Sequence, residues 1–444
     1  GVTLSSHPKP MPMLALLGLT ALLRAVAQPA CTDSGDCSLL GECVNGHCRC
    51  DKGFVDPPGG KGPPCSYFRL GTAEPASPGY HNASFPSWGG APVQWTEGEG
   101  ADGQWHLFTP QFANGCDVDY WLGQSFVVHA VGPSPVGPWS HSDVALPPYA
   151  HGSQVVIDPV SGLWIMFFVG GWHTQPDTWH NCSFASPVAY PPPGEGPGVG
   201  RTVDGCGPTG KDDRGCGIYL ATATTPYGPW TVHNVTVENT WKGKPTLLDC
   251  NRGNPAPYML PNGTVVVAFT GGGCHGGLET IGVMRASSWR GPYTLTSLNP
   301  IASAKGCPSS QLAEDPFLWH DGKRGWHIIA HGLCDWRTPS HNGTDLYGLM
   351  AWSRDLETWE IARDPGTGLP SLPWSKNVQW SNGSTTYVSR MERPQLVLAP
   401  PLSGRGTGSQ PLYLSTAVCP GGSSVGSTAC HGKPSWGLYR PIVH

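Results

Sequence analysis

Short apolar segments recur along the chain after residue 65, separated by turns rich in Gly, Pro and Asp. One kind of segment ends in a Gly-Pro-aromatic turn, which predicts a strand, a tight turn and the start of another strand. Its copies are "SFVVHAVGPSPVGPW" ending at Trp139, "IYLATATTPYGPW" ending at Trp230 and "IGVMRASSWRGPY" ending at Tyr293. "YGLMAWSRDLETW", ending at Trp359, repeats the pattern without Gly-Pro.

Two further elements precede each copy and complete a repeat of four strands. The nearer one is an apolar run such as "GLWIMFFVGG" or "GTVVVAFTGGG", and the farther one is a segment such as "NPAPYML" or "EDPFLWH". Four strands that recur about five times are typical of propeller blades. The fold predicted is therefore all-β, a five-bladed propeller over residues 67–444, whose last blade could take its fourth strand from the segment around Tyr67 and Leu70.

The order of strands within a blade also predicts which residues share a face. Strands alternate in direction, so the start of the first strand lies on the same face as the loop between the second and third strands. Glu314 and Asp315, at the head of "EDPFLWHDGKRGWHIIAHG", therefore belong to that face, as do Glu392 and Arg393. Because neighbours on a strand face opposite sides, we expect Asp315 and Glu392 to face the central pocket. Glu314 and Arg393 should then point away from it.

The N-terminal residues have the pattern of a signal peptide. Lys9 precedes the apolar run "MLALLGLTALL", and "AVA" offers the small residues that a signal peptidase accepts. The run is too short to span a bilayer. We assign residues 1–27 to a leader and signal peptide, and expect a secreted protein without a stable membrane anchor.

Cysteine usage agrees with an oxidising compartment. Six of the 16 cysteines lie between Cys31 and Cys65, in a segment too small to fold without cross-links. A zinc site is the alternative reading of such a cluster. Among the ten later cysteines, all placed by the repeat on one face, Cys419 and Cys430 are the closest candidates for a disulfide on one loop.

The segment 28–66 resembles an epidermal-growth-factor-like module, because Cys48 and Cys50 form a Cys-x-Cys pair followed by Gly53 and Phe54. The resemblance implies three disulfides, namely Cys31–Cys43, Cys37–Cys48 and Cys50–Cys65. The carboxylate pattern of the calcium-binding members is missing before Cys31, so we expect no calcium here. Such a module could bind an extracellular protein partner or act as a spacer.

Glycosylation and charge narrow the class of protein further. In a secreted chain, N-x-Ser/Thr sites are expected to carry glycans. The six sites are Asn82, Asn181, Asn234, Asn262, Asn342 and Asn382. The formal net charge of -5 provides no basic surface for nucleic acid. Nineteen Trp residues exceed ordinary use, and exposed Trp is a common platform for sugar rings.

The first-strand motifs resemble those of the five-bladed propeller glycosidases, the broad group that includes glycoside hydrolase family 43, the invertases and the levansucrases. The matching residues are Trp88-Gly89-Gly90, Asn254-Pro255-Ala256-Pro257, Glu314-Asp315-Pro316-Phe317-Leu318-Trp319 and Glu392-Arg393-Pro394-Gln395-Leu396. Blade two departs from the pattern, with His151-Gly152-Ser153 in place of His-Asn-Pro. The resemblance covers residues 80–440 and implies an oligo- or polysaccharide ligand.

The resemblance also implies three acids at the first-strand starts of blades one, two and three, where this chain has Gly90, Gly152 and Asn254. Asp315 and Glu392 are the carboxylates that remain for glycoside hydrolysis, which needs an acid and a nucleophile or base. The alternative is that both pair structurally with Arg393 and backbone N–H groups. The substrate-binding candidates are Asn254, Arg393, His331, Trp336, His151 and Trp172.

Each of those candidates also has a plainer interpretation. His331 could be an acid or a loop-bonding histidine, and Trp172 and Trp336 could stack on sugars or pack loops. No histidine pair has a metal-ligand spacing on one element, so we expect no metal and no cofactor. Three functions therefore stay open: a secreted glycosidase, a carbohydrate-binding or adhesion glycoprotein without turnover, and an interaction scaffold led by the module.

Overall fold

The computed structural model describes most of the chain from Cys31 onward. The described residues are 31–76, 79–82, 85–114, 116–148, 150–170, 217–238, 240–241, 244–245, 252–272, 280–296, 301, 313–332, 346–388, 390–401, 407–419 and 435–444. Cys31–His444 forms one compact unit. The predicted signal peptide lies outside the described residues. Across the described ranges, no helix has the length and apolar character needed to cross a membrane.

Five antiparallel sheets follow one another along the chain and form the predicted five-bladed propeller. Blade one contains Val93–Gln94, Trp105–Phe112, Ser125–Gly132 and Ser140–Leu146. Blade two contains Ala150–Ile157, Trp164–Gly170, Gly217–Ala223 and Thr231–Asn234. Blade three contains Gly253–Met259, Val265–Gly271, Thr280–Ala286 and Tyr293–Leu295, with Val237–Glu238 added in parallel at its edge. Blade four contains Ala313–His320, Trp326–Gly332, Leu349–Ser353 and Glu360–Ile361.

Blade five contains Arg390–Leu398, Pro411–Cys419 and Trp436–Pro441, which leaves its outer position to another part of the chain. As the sequence predicts, a segment near Leu70 lies there, although it forms a single bridge to Ile442 rather than a strand. The N–H of Gly71 donates to Pro441 O at 2.8 Å, and the N–H of Val443 donates to Arg69 O at 2.9 Å. These hydrogen bonds join the segment near Leu70 to the last strand of blade five.

Short elements decorate the blades. Among the described residues the helices are 3₁₀ turns at Pro58–Gly60 and Val118–Tyr120 and one α-helical turn at Trp121–Gln124. Three two-stranded ribbons pair Thr240–Trp241 with Lys244–Pro245, Leu346–Tyr347 with Trp374–Ser375, and Asn377–Gln379 with Thr385–Tyr387. The Gly-Pro-aromatic turns have cis peptide bonds at Gly137-Pro138, Gly228-Pro229 and Gly291-Pro292.

Three disulfides cross-link the cysteine-rich segment, residues 31–65. Cys31–Cys43, Cys37–Cys48 and Cys50–Cys65 are all present, which confirms the predicted pairing and excludes a zinc site formed by these thiols. Its strands are Gly41–Val44, His47–Cys50 and Phe54–Val55, and the strand Tyr67–Phe68 follows the segment. Cys116 and Cys419 are disulfide-bonded as well. Cys430 lies outside the described residues, so its bond to Cys419 stays a prediction.

The cysteine-rich segment packs against blade four rather than standing apart from the propeller. Leu39 is fully buried and shares a hydrophobic core with Trp326 and Ile329. Arg324 of blade four donates from Nε to Leu39 O at 2.8 Å and forms an ion pair with Asp51. Because its apolar face is covered in this way, the segment is held by packing as well as by disulfides.

Candidate active site

The first strands of the blades begin around one pocket near the propeller axis. It is lined by Trp88, Val118, Trp121, His151, Val169, Gly253, Asn254, Thr270, Glu314, Asp315, Arg390, Glu392 and Arg393. Three carboxylates and two arginines thus meet at the place where the strand order predicted Asp315 and Glu392. Of the predicted binding residues, Asn254, Arg393 and His151 are in the lining and His331 is not, and their role in binding stays a prediction. Trp172 and Trp336 lie outside the described residues.

A residue with positive φ lies in or just before the first half of each first strand. These residues are Gly90 at 119°, Gly152 at 63°, Asn254 at 47°, Asp315 at 53° and Arg393 at 49°. In blades two to five the strand pairing shifts register at the same point, which marks a β-bulge. A bulge interrupts the alternation of side chains, so that consecutive residues can face one side.

The bulge in blade four corrects one expectation from the sequence. Glu314 was expected to point away from the pocket, but Glu314 and Asp315 both line it. The backbone N–H of Asp315 donates to Thr270 Oγ1 of blade three at 3.2 Å, which fixes the bulge against its neighbour. Strict alternation fails here because Asp315 adopts the left-handed conformation.

Asp315 and Glu392 lie close together but in different electrostatic environments. A carboxylate oxygen of Asp315 lies within 4.8 Å of a carboxylate oxygen of Glu392. Burial raises the pKa of Asp315 to about 6, against the opposing charge of Arg393. Burial also disfavours ionised Glu392, but Arg390 and His331 outweigh it and lower the pKa of that carboxyl. At weakly acidic pH one carboxyl is therefore protonated and the other ionised.

The side chain of Arg393 was expected to point away from the pocket, but it lines the pocket. Its Nη2 donates to Asn254 Oδ1 at 3.1 Å and lies 3.4 Å from Asp315 Oδ1. The guanidinium occupies space left by Gly152, where an added Cβ would lie 2.4 Å from Nη2. The Arg393 guanidinium thus lies beside Gly152 and Asn254 and places positive charge against Asp315.

His331 forms a second charged pair at the edge of the pocket. The second strand of blade four places it opposite Glu314, and its Nδ1 is 3.1 Å from Glu314 Oε1. Burial favours the neutral ring, but the negative charges of Glu392, Glu314 and Asp315 raise the pKa of His331 to about 9. His331 is therefore an imidazolium at neutral pH, and it faces the carboxylates rather than the bulk solvent.

Arg390 and Trp88 are pocket residues to which the sequence analysis gave no role. Arg390 Nε donates to Glu392 Oε1 at 2.6 Å, and its guanidinium carbon lies 5.1 Å from the ring centroid of Trp88. The sequence did contain a signal for Arg390, because it lies two residues before Glu392 and residues two apart on a strand share a face. Trp121, on the helical turn beside the pocket, had no comparable signal.

His151 is held at the pocket wall by its neighbours. Its Nδ1 is 2.8 Å from Ser125 Oγ, and its ring centroid is 5.1 Å from that of Trp121. Burial and the charge of Arg393 lower its pKa well below the usual value. His151 is thus a neutral polar group next to a partly exposed indole, a combination suited to a hydroxylated ligand.

The group of Glu314, Asp315, His331 and Glu392 is compact enough to bind a cation, since one ligand atom of each lies within 4.8 Å of the others. Arg390 and Arg393 already place positive charge against Glu392 and Asp315. The residues therefore fit a proton-handling site better than a metal centre, and the expectation of no metal stays a prediction.

Comparison with known proteins gives matches at the level of structure alone. No family model matches the sequence, and no curated protein is similar to it. A family 117 glycoside hydrolase of the marine bacterium Zobellia galactanivorans is similar with a TM-score of 0.46 and 12% identity, over 84% of this chain and 90% of that one. A thermostable family-43 glycoside hydrolase is similar with a TM-score of 0.44 and 13% identity, over 81% of this chain and 91% of that one. An exo-beta-1,3-galactanase of Phanerochaete chrysosporium, solved with galactose, is similar with a TM-score of 0.43 and 11% identity, over 84% of this chain and 65% of that one.

Proposed function

We propose that this protein is a secreted glycoside hydrolase in which Asp315 is the general acid and Glu392 the nucleophile. The proposal rests on one observation, the closeness of two pocket carboxyls whose pKa values are shifted in opposite directions. Environments that separate the pKa values of two neighbouring groups are how acid and base roles are assigned in such sites. Carboxyl groups about 5–5.5 Å apart are typical of retaining glycosidases, and wider pairs of inverting ones.

The surrounding charges suit these roles. Asp315 would protonate the oxygen of the leaving group, and the carboxylate that results would face the guanidinium of Arg393 at 3.4 Å. Glu392, kept ionised by Arg390 and His331, would attack the anomeric carbon. Water would then hydrolyse the glycosyl-enzyme, with Asp315 acting as base.

The pocket lining favours a carbohydrate ligand. Trp121 is partly exposed beside His151 and offers an aromatic face, while Asn254 and Glu314 offer polar groups. The disulfide-rich segment and the N-terminal apolar run support an extracellular site of action. The substrate class proposed is therefore an extracellular or cell-wall oligo- or polysaccharide.

The test is turnover of a panel of aryl glycosides by wild type, Asp315→Asn, Glu392→Gln and the surface control Glu97→Gln. Loss of one catalytic carboxyl should lower kcat at least about 100-fold, the scale of general acid catalysis, with little change in KM. Glu97→Gln should match wild type, because Glu97 is exposed and away from the pocket. Equal activity of Asp315→Asn and wild type would contradict the assignment.

Carbohydrate binding without turnover is the second candidate. It is favoured by the arginine held against each carboxylate, Arg393 at Asp315 and Arg390 at Glu392. A binding site of this kind would give no product on the panel but would give a calorimetric Kd with an unlabelled oligosaccharide. Glu392→Gln would then weaken binding, whereas a catalytic Glu392 would leave it nearly unchanged.

A further inference from the structure

A chain of hydrogen-bonded titratable groups lies in blade one, apart from the pocket. His106 Nε2 is 3.1 Å from Asp102 Oδ1, and His106 Nδ1 is 2.9 Å from His129 Nε2. His129 Nδ1 is 3.0 Å from Asp143 Oδ2. Both imidazoles are fully buried and stacked, with ring centroids 5.2 Å apart. The proposed catalytic mechanism uses none of these groups.

Counting protons shows that two neutral rings cannot complete this chain. Three contacts at hydrogen-bonding distance join the four groups, and each contact needs one proton between its heavy atoms. A neutral imidazole carries one N–H, so His106 and His129 together supply two protons. Without a third proton, one contact would set a lone pair against a lone pair in a buried site, which is costly.

The carboxylates do not carry the third proton. Burial opposes ionisation of Asp102, but hydrogen bonds from the backbone N–H of Gln104, from Tyr227 and from His106 lower its pKa. Burial likewise opposes ionisation of Asp143, whose pKa is lowered by His129 and the hydroxyl of Ser142. The third proton therefore belongs to the histidine pair.

One arrangement fills every contact. Burial lowers the pKa of His106 to about 4, so His106 is the neutral ring. Its Nε2–H donates to Asp102, and its Nδ1 accepts from His129 Nε2–H. The third proton fills the remaining contact, between His129 Nδ1 and Asp143 Oδ2. The histidine pair with its excess proton thus lies between two carboxylates, Asp102 and Asp143.

The chain also joins two blades. Tyr227, in the Gly-Pro-aromatic turn of blade two, donates its hydroxyl to Asp102 Oδ2 at 2.8 Å. Its pKa is raised to about 12, with burial as the main cause, so it remains a donor across the physiological range. Among the residues that the structure describes, His141 is a further titratable neighbour, exposed and close enough to influence Asp143.

We propose that His106 and His129 hold one excess proton between Asp102 and Asp143, and that this buried proton makes the stability of blade one depend on pH. Loss of the proton at alkaline pH leaves one of the three contacts without a proton, which destabilises the buried chain. This pH dependence is independent of the proposed hydrolase activity.

The test compares the full-length wild type with Asp143→Asn by reversible chemical unfolding between pH 5 and pH 9. An Asn amide donates to His129 Nδ1 and so fills the third contact without an extra proton, and Asp143 is 37% exposed, which suits the change. Histidines in unfolded chains titrate near pH 6.5. Above about that pH, the unfolding equilibrium constant of wild type should rise relative to that of Asp143→Asn, at the limit of about tenfold per pH unit for one proton.

His141→Gln is the matched control, because it removes a nearby histidine that lies outside the chain, and it should keep the wild-type profile. Ring ¹⁵N spectra of wild type at pH 7 supply a second measurement that needs no variant. They should show one buried imidazolium coupled to a neutral ring, and the imidazolium should disappear in Asp143→Asn. Parallel unfolding profiles for wild type and Asp143→Asn, or two neutral buried rings at pH 7, would overturn the proposal.

Discussion

Replacing Gly152 by Ala tests how the pocket is built around Arg393. Gly152 has φ of 63°, and a Cβ there would lie 2.4 Å from Arg393 Nη2 and 2.9 Å from Nη1. The new methyl group must therefore displace the guanidinium from Asn254 and Asp315. In the left-handed conformation, a residue other than glycine costs about 1–2 kcal/mol. A lost hydrogen bond to a charged group adds about 1.5–3 kcal/mol.

Gly152→Ala should consequently lower the free energy of unfolding by about 2.5–5 kcal/mol, measured by urea titration at pH 7. Gly368→Ala is the matched control. Gly368 has φ of 71° and nothing within 4 Å of its added Cβ, so it should cost only about 1–2 kcal/mol. In an Arg393→Met background the clash with the guanidinium is gone, and Gly152→Ala should cost about as much as Gly368→Ala. Equal costs for both glycines in the wild-type background would refute this account of Arg393.

Three further predictions concern charge, glycans and thiols. The pKa of His331 is about 9 in the folded chain and about 6.5 when unfolded, so its contribution to stability is complete below about pH 6.5 and is lost as pH rises through 9. Glu314→Gln should therefore destabilise the protein at pH 6 and much less at pH 10, as denaturant midpoints at the two pH values would show. Asn234, Asn262 and Asn382 are exposed, so we expect glycans there when the protein is expressed through a secretory pathway. Enzymatic deglycosylation should then lower the mass of the peptides that contain these sites, and the peptides of Asn→Gln variants should show no change in mass. The six cysteines from Cys31 to Cys65 are all bonded, so a thiol reagent should label none of them before reduction.

The blade pattern was predictable because each strand has a local signature. The apolar runs of the five copies and the Gly-Pro-aromatic turns of three of them gave the sheet order. The short last copy indicated that residues near Leu70 would complete the last blade, and Leu70 does pair with Ile442. The resemblance of the cysteine spacing to an epidermal-growth-factor-like module implied the three disulfides that the structure contains. These features depend on neighbours in sequence or on a repeated motif.

The rule that successive side chains on a strand point to opposite sides did not predict which residues face the pocket. Glu314 and Arg393 were expected to point away, and the left-handed residues Asp315 and Arg393 reverse that expectation. A signal was present, since Asn254, Asp315 and Arg393 are each followed by Pro, and Pro within a strand often marks a bulge. The reach of Arg393 over Gly152 depends on contacts between blades, which no local pattern describes.

The glycans at Asn82, Asn181 and Asn342, the signal peptide at residues 1–27 and the sugar contacts of Trp172 and Trp336 stay predictions. Asn82 is partly buried. Asn181, Asn342, the signal peptide and the two Trp residues lie outside the described residues.

The measurement that tests the central claim most directly is trapping of the nucleophile. The protein would be incubated with a panel of activated 2-deoxy-2-fluoro glycosides and its peptides analysed by mass spectrometry. Because Glu392 lies within 4.8 Å of Asp315 at the pocket, the account predicts one fluoroglycosyl group on Glu392, absent in Glu392→Gln. Turnover of the matching aryl glycoside with the label on another residue, or with inversion at the anomeric carbon, would contradict it.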